Sequence, residues 1–160
     1  MEKGFLRIIQ DNEGLLYKII NAYCDDIDDR EDLYQEIIFQ LWKSFPRFKG
    51  QSKISTWMYR VALNTAISNF KKGSKRKNLV SIHDFELHIG EEHNHEEEER
   101  LKIFYQALKQ LTKIERAVIM LFMDGKSYEE MAEILGLTTS NIGVKLNRTK
   151  NKLKEMLKDY

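Results

Sequence analysis

The chain of 160 residues has one cysteine, Cys24, one proline, Pro46, and eight glycines. Each scarcity excludes something. One cysteine cannot close an internal disulfide, so the fold must rest on its apolar core, which suits a reducing cytoplasm. With so little proline and glycine, few positions interrupt helices. The β-branched residues do not cluster in alternating runs, which argues for an all-α fold. No apolar run reaches the length of a transmembrane helix and no signal peptide is found, so no direct membrane insertion is expected. A Walker-type phosphate loop, a nucleophile triad and a metal-ligand pair are also missing. No catalytic residue, metal, cofactor or small-molecule substrate is therefore expected.

The apolar fraction of 42% is ordinary, and the length allows one or two small domains, each with its own core. The formal net charge of +1 hides a blocked distribution. Acidic residues dominate up to Glu36. From Ile37 to His83 there are none, while Lys49, Lys53, Arg60, Lys71, Lys72, Lys75, Arg76 and Lys77 are present. Asp84 to Glu99 carries no Lys or Arg, and the stretch from Lys145 is basic again. Two basic blocks separated by an acidic one suggest two polyanion-binding surfaces.

Apolar periodicity predicts one or two helices before the acidic turn Asp25 to Asp29. That turn lacks the central Gly and terminal Glu of an EF-hand, so it reads as a solvated loop capping the next helix. A helix is expected from about Arg30 to Ser44, ended or bent by Pro46. A loop with Gly50, Ser52 and Ser55 precedes a further helix over Trp57 to Phe70, rich in aromatic and amide groups. Aromatics interleaved with cations suit unpaired nucleic acid, the cations tracking phosphates and the rings facing bases; they also serve as core, the role expected of Phe45. Trp57 is compatible with either. Leu79 to Arg100 reads as a charged linker whose acidic run extends toward the next helix, and His83, His88, His93 and His95 there lack metal-ligand spacing.

After Leu101, steps of three and four resume. Thr112 with Glu115, and Ser127 with Glu130, have the spacing of capping boxes. The second opens a short helix that Gly136 ends in a left-handed residue. Thr138 or Thr139 caps a longer helix with apolar Ile142, Leu146, Leu153 and Leu157 and a basic outer surface of Lys145, Arg148, Lys150, Lys152 and Lys154. A short helix, a Gly-containing turn and a longer basic helix fit a DNA-binding helix-turn-helix, the plainer alternative being a solvated basic helix.

These stretches resemble RNA polymerase sigma factors of the extracytoplasmic-function (ECF) group of the sigma-70 family. DLYQEIIFQLW and FKGQSKISTWMYRVALNTAISNFKK carry the likeness in the first half, and LKQLTKIERAVIMLFMDGKSYEEMAEILGLTTSNIGVKLNRTKNKLK carries it in the second. The resemblance implies two small helical domains joined by a charged linker: 1–78 for core polymerase and the minus-10 element, 79–97 as linker, and 98–160 as the helix-turn-helix domain for the minus-35 element. It assigns core RNA polymerase docking to Asp32, Gln35 and Glu36. Lys49, Gln51, Ser52 and Lys53 would line the pocket for an extruded base, with Trp57, Arg60 and Asn64 contacting the strand or bracing the loop. Ser140, Asn141, Val144, Lys145 and Arg148 would meet the minus-35 duplex of promoter DNA. An anti-sigma factor is the further partner implied. One departure stands out: Gly143 occupies a position where many relatives carry a basic residue. The competing readings are a helix-turn-helix regulator with an N-terminal sensory or dimerisation domain, and an enzyme acting on nucleic acid.

Overall fold

The computed structural model describes residues 1–69 and 94–160, and among these residues there is no strand. The chain divides into two compact units, Met1–Phe85 and Glu86–Tyr160. The basic run from Lys71 to Lys77, His83, His88 and His93, and most of the expected linker lie outside the described residues.

The first unit comprises α1 (Glu2–Asp11), α2 (Glu13–Tyr23), α3 (Ile27–Ser44) and α4 (Ile54–Asn64). α2, α3 and α4 pack on one another. Their fully buried side chains include Leu16, Ile19, Ile20, Leu33, Ile37, Leu41, Met58, Tyr59 and Leu63. The acidic turn caps α3. The Asp26 carboxylate accepts from the Asp28 N–H at 3.3 Å, and Arg30 Nε donates to the Cys24 carbonyl at 3.1 Å. Cys24 is buried.

α3 starts at Ile27 rather than near Arg30, because Asp28 and Asp29 join its first turn, where carboxylates are favoured by the helix dipole. It stops at Ser44, where Phe45–Arg47 tightens into a 3₁₀ turn around Pro46. α4 starts at Ile54, inside the segment expected to be loop, and gives way after Asn64 to a π turn, Thr65–Asn69. The Thr65 hydroxyl donates there to the Val61 carbonyl at 2.7 Å.

The second unit comprises α5 (His95–Lys109), α6 (Lys113–Met123), α7 (Tyr128–Leu135) and α8 (Thr139–Leu157). Asn94 caps α5 through the Glu97 N–H, and Glu96, Glu97 and Glu98 fill its first turn, so the end of the acidic tract is helix. Arg116 donates to the carbonyls of Lys109 and Leu111, satisfying groups that the end of α5 leaves open. Thr112 and Glu115 form the complete capping box of α6. The Ser127 box is only half made. The Ser127 hydroxyl accepts from the Glu130 N–H at 3.1 Å, but the Glu130 carboxylate turns to the Ser127 hydroxyl and the Lys126 ammonium rather than to the Ser127 N–H. Gly136 ends α7 at φ 68°, a conformation that costs glycine nothing. α8 packs on α5, α6 and α7.

No helix among the described residues is long and apolar enough to cross a membrane, and no group of His, Cys, Asp and Glu among them could hold a metal ion.

Candidate protein and nucleic-acid interfaces

In the first unit, one side of α3 faces the core through Leu33, Ile37 and Leu41. The opposite side carries Asp28, Asp32, Gln35, Glu36 and Phe39, spaced by three or four residues so that they share a face. Burial raises the Asp32 pKa, and the charges of Asp29 and Asp28 raise it further. Gln40 Nε2 donates to Glu36 Oε1 at 2.9 Å, fixing that carboxylate along the helix. Phe39 is 51% exposed at the C-terminal end of this acidic face. Sequence reading passed over it, although its place seven residues after Asp32 would have found it.

The loop from Phe48 to Lys53 turns at Gly50, whose φ is 72°. Lys49, Gln51 and Lys53 are exposed and Ser52 is half-buried, with its hydroxyl donating to the Lys53 carbonyl at 3.3 Å. Trp57 is only 7% exposed, which makes it a brace of this loop rather than a surface for bases. Its ring stacks on Phe48 at 4.9 Å and lies 6.2 Å from Phe45. Phe45 in turn meets Phe5, which packs edge-on against Trp42 at 5.0 Å. Phe45 itself is half-buried rather than a core residue. Offset and edge-on ring pairs of this kind contribute about 0.5–1.5 kcal/mol each beyond their buried area. The rings therefore stiffen the base of a loop whose polar tip stays open. Half-buried Arg60 and exposed Asn64 continue the stripe that Trp57 begins on α4.

In the second unit, the helix-turn-helix is α7, Gly136 and α8. Thr138 caps α8 by accepting from the Asn141 N–H at 3.1 Å. Ile142, Leu146, Thr149 and Leu153 are buried, and the Thr149 hydroxyl donates to the Lys145 carbonyl at 2.7 Å. Ser140, Asn141, Val144 and Arg148 are exposed and Lys145 is half-buried, so the structure brings all five to the outer side of α8. Exposed Asn147 joins them; the step of seven from Ser140 could have found it.

Two of the expected basic residues turn elsewhere. Lys150 Nζ lies 3.8 Å from the centre of the Phe122 ring, and Lys152 donates to Glu115 on α6. Burial works against the charge of Glu115, but the hydrogen bond from Lys152, that from the Thr112 N–H, and the Lys152 and Lys145 charges hold its pKa below the ordinary value. Gly143 faces α7: the nearest heavy atom to the place its Cβ would occupy is Tyr128 Cε2, at 3.5 Å. No sequence signal marked Tyr128 as a neighbour of α8.

The chain matches the family model Sigma-70 region 2 over residues 8–76 and the model Sigma-70, region 4 over residues 101–153. It is 29% identical over 150 residues to the ECF RNA polymerase sigma factor SigX of Bacillus subtilis (strain 168), covering 89% of this chain and 77% of that one. Identity to the ECF RNA polymerase sigma-E factor of Haemophilus influenzae is 24% over 168 residues, covering 98% and 88%. Two solved structures share the fold. The sigma factor RpoE of Bartonella quintana, in complex with the anti-sigma factor NepR, superposes with a TM-score of 0.72 at 24% identity over 98% of each chain. CnrH, in complex with the cytosolic domain of CnrY, gives 0.71 at 18% identity over 99% of this chain and 90% of that one. Matches to both regions in one chain, in order, with ECF sigma factors as relatives along nearly its whole length, place it in the ECF group of the sigma-70 family.

Proposed function

We propose that this chain is a sigma factor that binds core RNA polymerase, directs it to a restricted set of promoters and favours strand opening there. The observation that carries the reading is the coexistence, in one chain, of an acidic helix face beside a braced polar loop and a helix-turn-helix with an open outer face. Asp32, Gln35 and Glu36 on α3 dock core polymerase, carboxylates and an amide on one face suiting a partner that presents arginines. Lys49, Gln51, Ser52 and Lys53 line the pocket for an extruded minus-10 base, Trp57 braces it, and Arg60 and Asn64 contact the strand. Ser140, Asn141, Val144, Lys145 and Arg148 meet the minus-35 duplex.

Strand opening on this reading needs no bond making, no cofactor and no enzymatic step. A surface that binds unpaired DNA better than duplex shifts the melting equilibrium by its difference in affinity. The protein acts in the cytoplasm, where polymerase and promoters are. RpoE was solved with an anti-sigma factor, and this chain is proposed to be held in check by a partner of the same kind.

The test is reconstituted transcription with purified core polymerase on a library of promoter sequences. Initiation from a defined subset is expected, and charge reversal at Asp32 and Glu36 should abolish it by weakening core binding while the variant stays folded. Failure of the unmodified chain to bind core or to initiate on any template would overturn the proposal.

A further inference from the structure

From Ser140 to Asn151 the outer face of α8 has no cation along its centre line. Ser140, Val144 and Asn147 follow one another at steps of four and three, roughly opposite the buried stripe of Ile142, Leu146, Thr149 and Leu153. Lys145 and Arg148 lie to one side of this line. On the other side Gly143 offers no side chain, and the space beside it is held by the Tyr128 ring from α7. Val144 is 49% exposed and Tyr128 42% exposed. The central line thus presents a hydroxyl, an apolar side chain and an amide, with an aromatic ring at its edge.

The four base pairs differ in what they display in the major groove. Guanine offers two acceptors that Arg or Lys satisfies, adenine an acceptor and a donor that Asn matches, and thymine a methyl group that takes apolar contact. We propose that this strip reads A·T pairs, with the Asn147 amide pairing bidentately with an adenine and Val144 packing on the methyl group of a thymine. Tyr128, seated over Gly143, extends the apolar surface where a basic side chain would otherwise select guanine. Lys145 and Arg148 flank the strip and serve the phosphates. The inference rests on α8 being the helix that reads the duplex, as proposed above, and goes on to name the bases.

The experiment uses the full chain bound to core polymerase and selects from DNA duplexes randomised across the upstream element. Enrichment of adenine and thymine at the positions facing the strip is expected. Asn147→Ala should relax the adenine preference at one position by about 5- to 150-fold. Replacing the contacted thymine by deoxyuridine, which lacks the methyl group, should weaken binding about fourfold. Val144→Ala should remove that difference. Sequence-specific binding with guanine at those positions would overturn the base assignment and leave the sigma-factor reading standing, as would equal binding of thymine and deoxyuridine with an unchanged Asn147→Ala preference. If the assembly selects no duplex at all, the reading of α8 falls, and the base assignment with it.

Discussion

Replacing Gly143 by alanine should make the second unit more stable. Gly143 lies in the interior of α8, and its φ is not in the left-handed region, so nothing in its backbone requires glycine. Glycine at such a position costs about 1 kcal/mol relative to alanine, because more backbone freedom is lost on folding. The added Cβ would stand 3.5 Å from Tyr128 Cε2, an ordinary van der Waals contact, so the gain is not consumed by a clash. For a unit of this size, about 1 kcal/mol raises Tm by roughly 4–8 °C. Calorimetry of the full chain, with urea unfolding alongside, would measure it; the urea midpoint should rise without a change in slope. Since the methyl group points at Tyr128 rather than outward, affinity of the polymerase-bound protein for the upstream duplex should stay within about twofold. A lower or unchanged Tm would refute the packing described for α7 and α8. A stabilised variant with strongly weakened duplex binding would show instead that the glycine serves close approach to DNA.

Asp32→Asn should stabilise the first unit by about 0.5 kcal/mol at neutral pH, by removing a charge that burial disfavours and that the solvent-screened Asp29 and Asp28 carboxylates repel, while core polymerase binding weakens. Because the Asp32 pKa is raised in the folded protein, that gain should vanish as pH falls and the carboxylate takes up its proton; pH-dependent urea unfolding and a core-binding titration check both halves. Glu115 has the opposite sign. Its depressed pKa gives stability that is present above the ordinary glutamate value of 4.5 and is lost as pH falls through the folded value, so Glu115→Gln should cost about 0.5 kcal/mol at neutral pH and flatten the acid limb in unfolding measurements. Arg148→Ala should lower the salt slope of duplex binding by about one unit, whereas Lys150→Ala and Lys152→Ala should leave it unchanged and lower the unfolding temperature, as measured in a salt series and a thermal melt.

Much of the fold was legible because its signals are local. Thr112 with Glu115 marked the start of α6, Gly136 the end of α7 and Pro46 the end of α3, each through a backbone group that must be satisfied or cannot be. The start of α4 escaped for the same reason in reverse. Lys53 stands at its cap with no side-chain hydrogen bond, so Gly50, Ser52 and Ser55 read as loop to the last. The π turn after Asn64 left no trace in the apolar spacing, since one extra residue held within a turn looks the same in sequence as a helix that drifts. Where Glu130 would point also depended on a neighbour: Lys126 and the Ser127 hydroxyl compete for its carboxylate, and capping-box spacing counts neither.

The sites were legible as faces and less so as contacts. A helical period is enough to put Asp32, Gln35 and Glu36 together on α3, or Ser140 and Val144 on α8, and it would have added Phe39 and Asn147 had it been carried one step further. It says nothing of which side chains turn back onto their own domain. The basic residues of α8 look alike in sequence, yet Lys150 covers Phe122 and Lys152 holds Glu115, while Arg148 remains exposed. Only cations that reach phosphate release counterions, so on the proposed reading of α8 the electrostatic part of duplex affinity should be set by fewer residues than its composition suggests. The same limit applies to the aromatic residues of the first unit. Trp57 was compatible with base contact by composition, and it is the ring of Phe48 lying over it that makes it a support. In both units the surface left for DNA is what remains after the domain has satisfied its own packing, and that subtraction needs distances that a sequence does not contain.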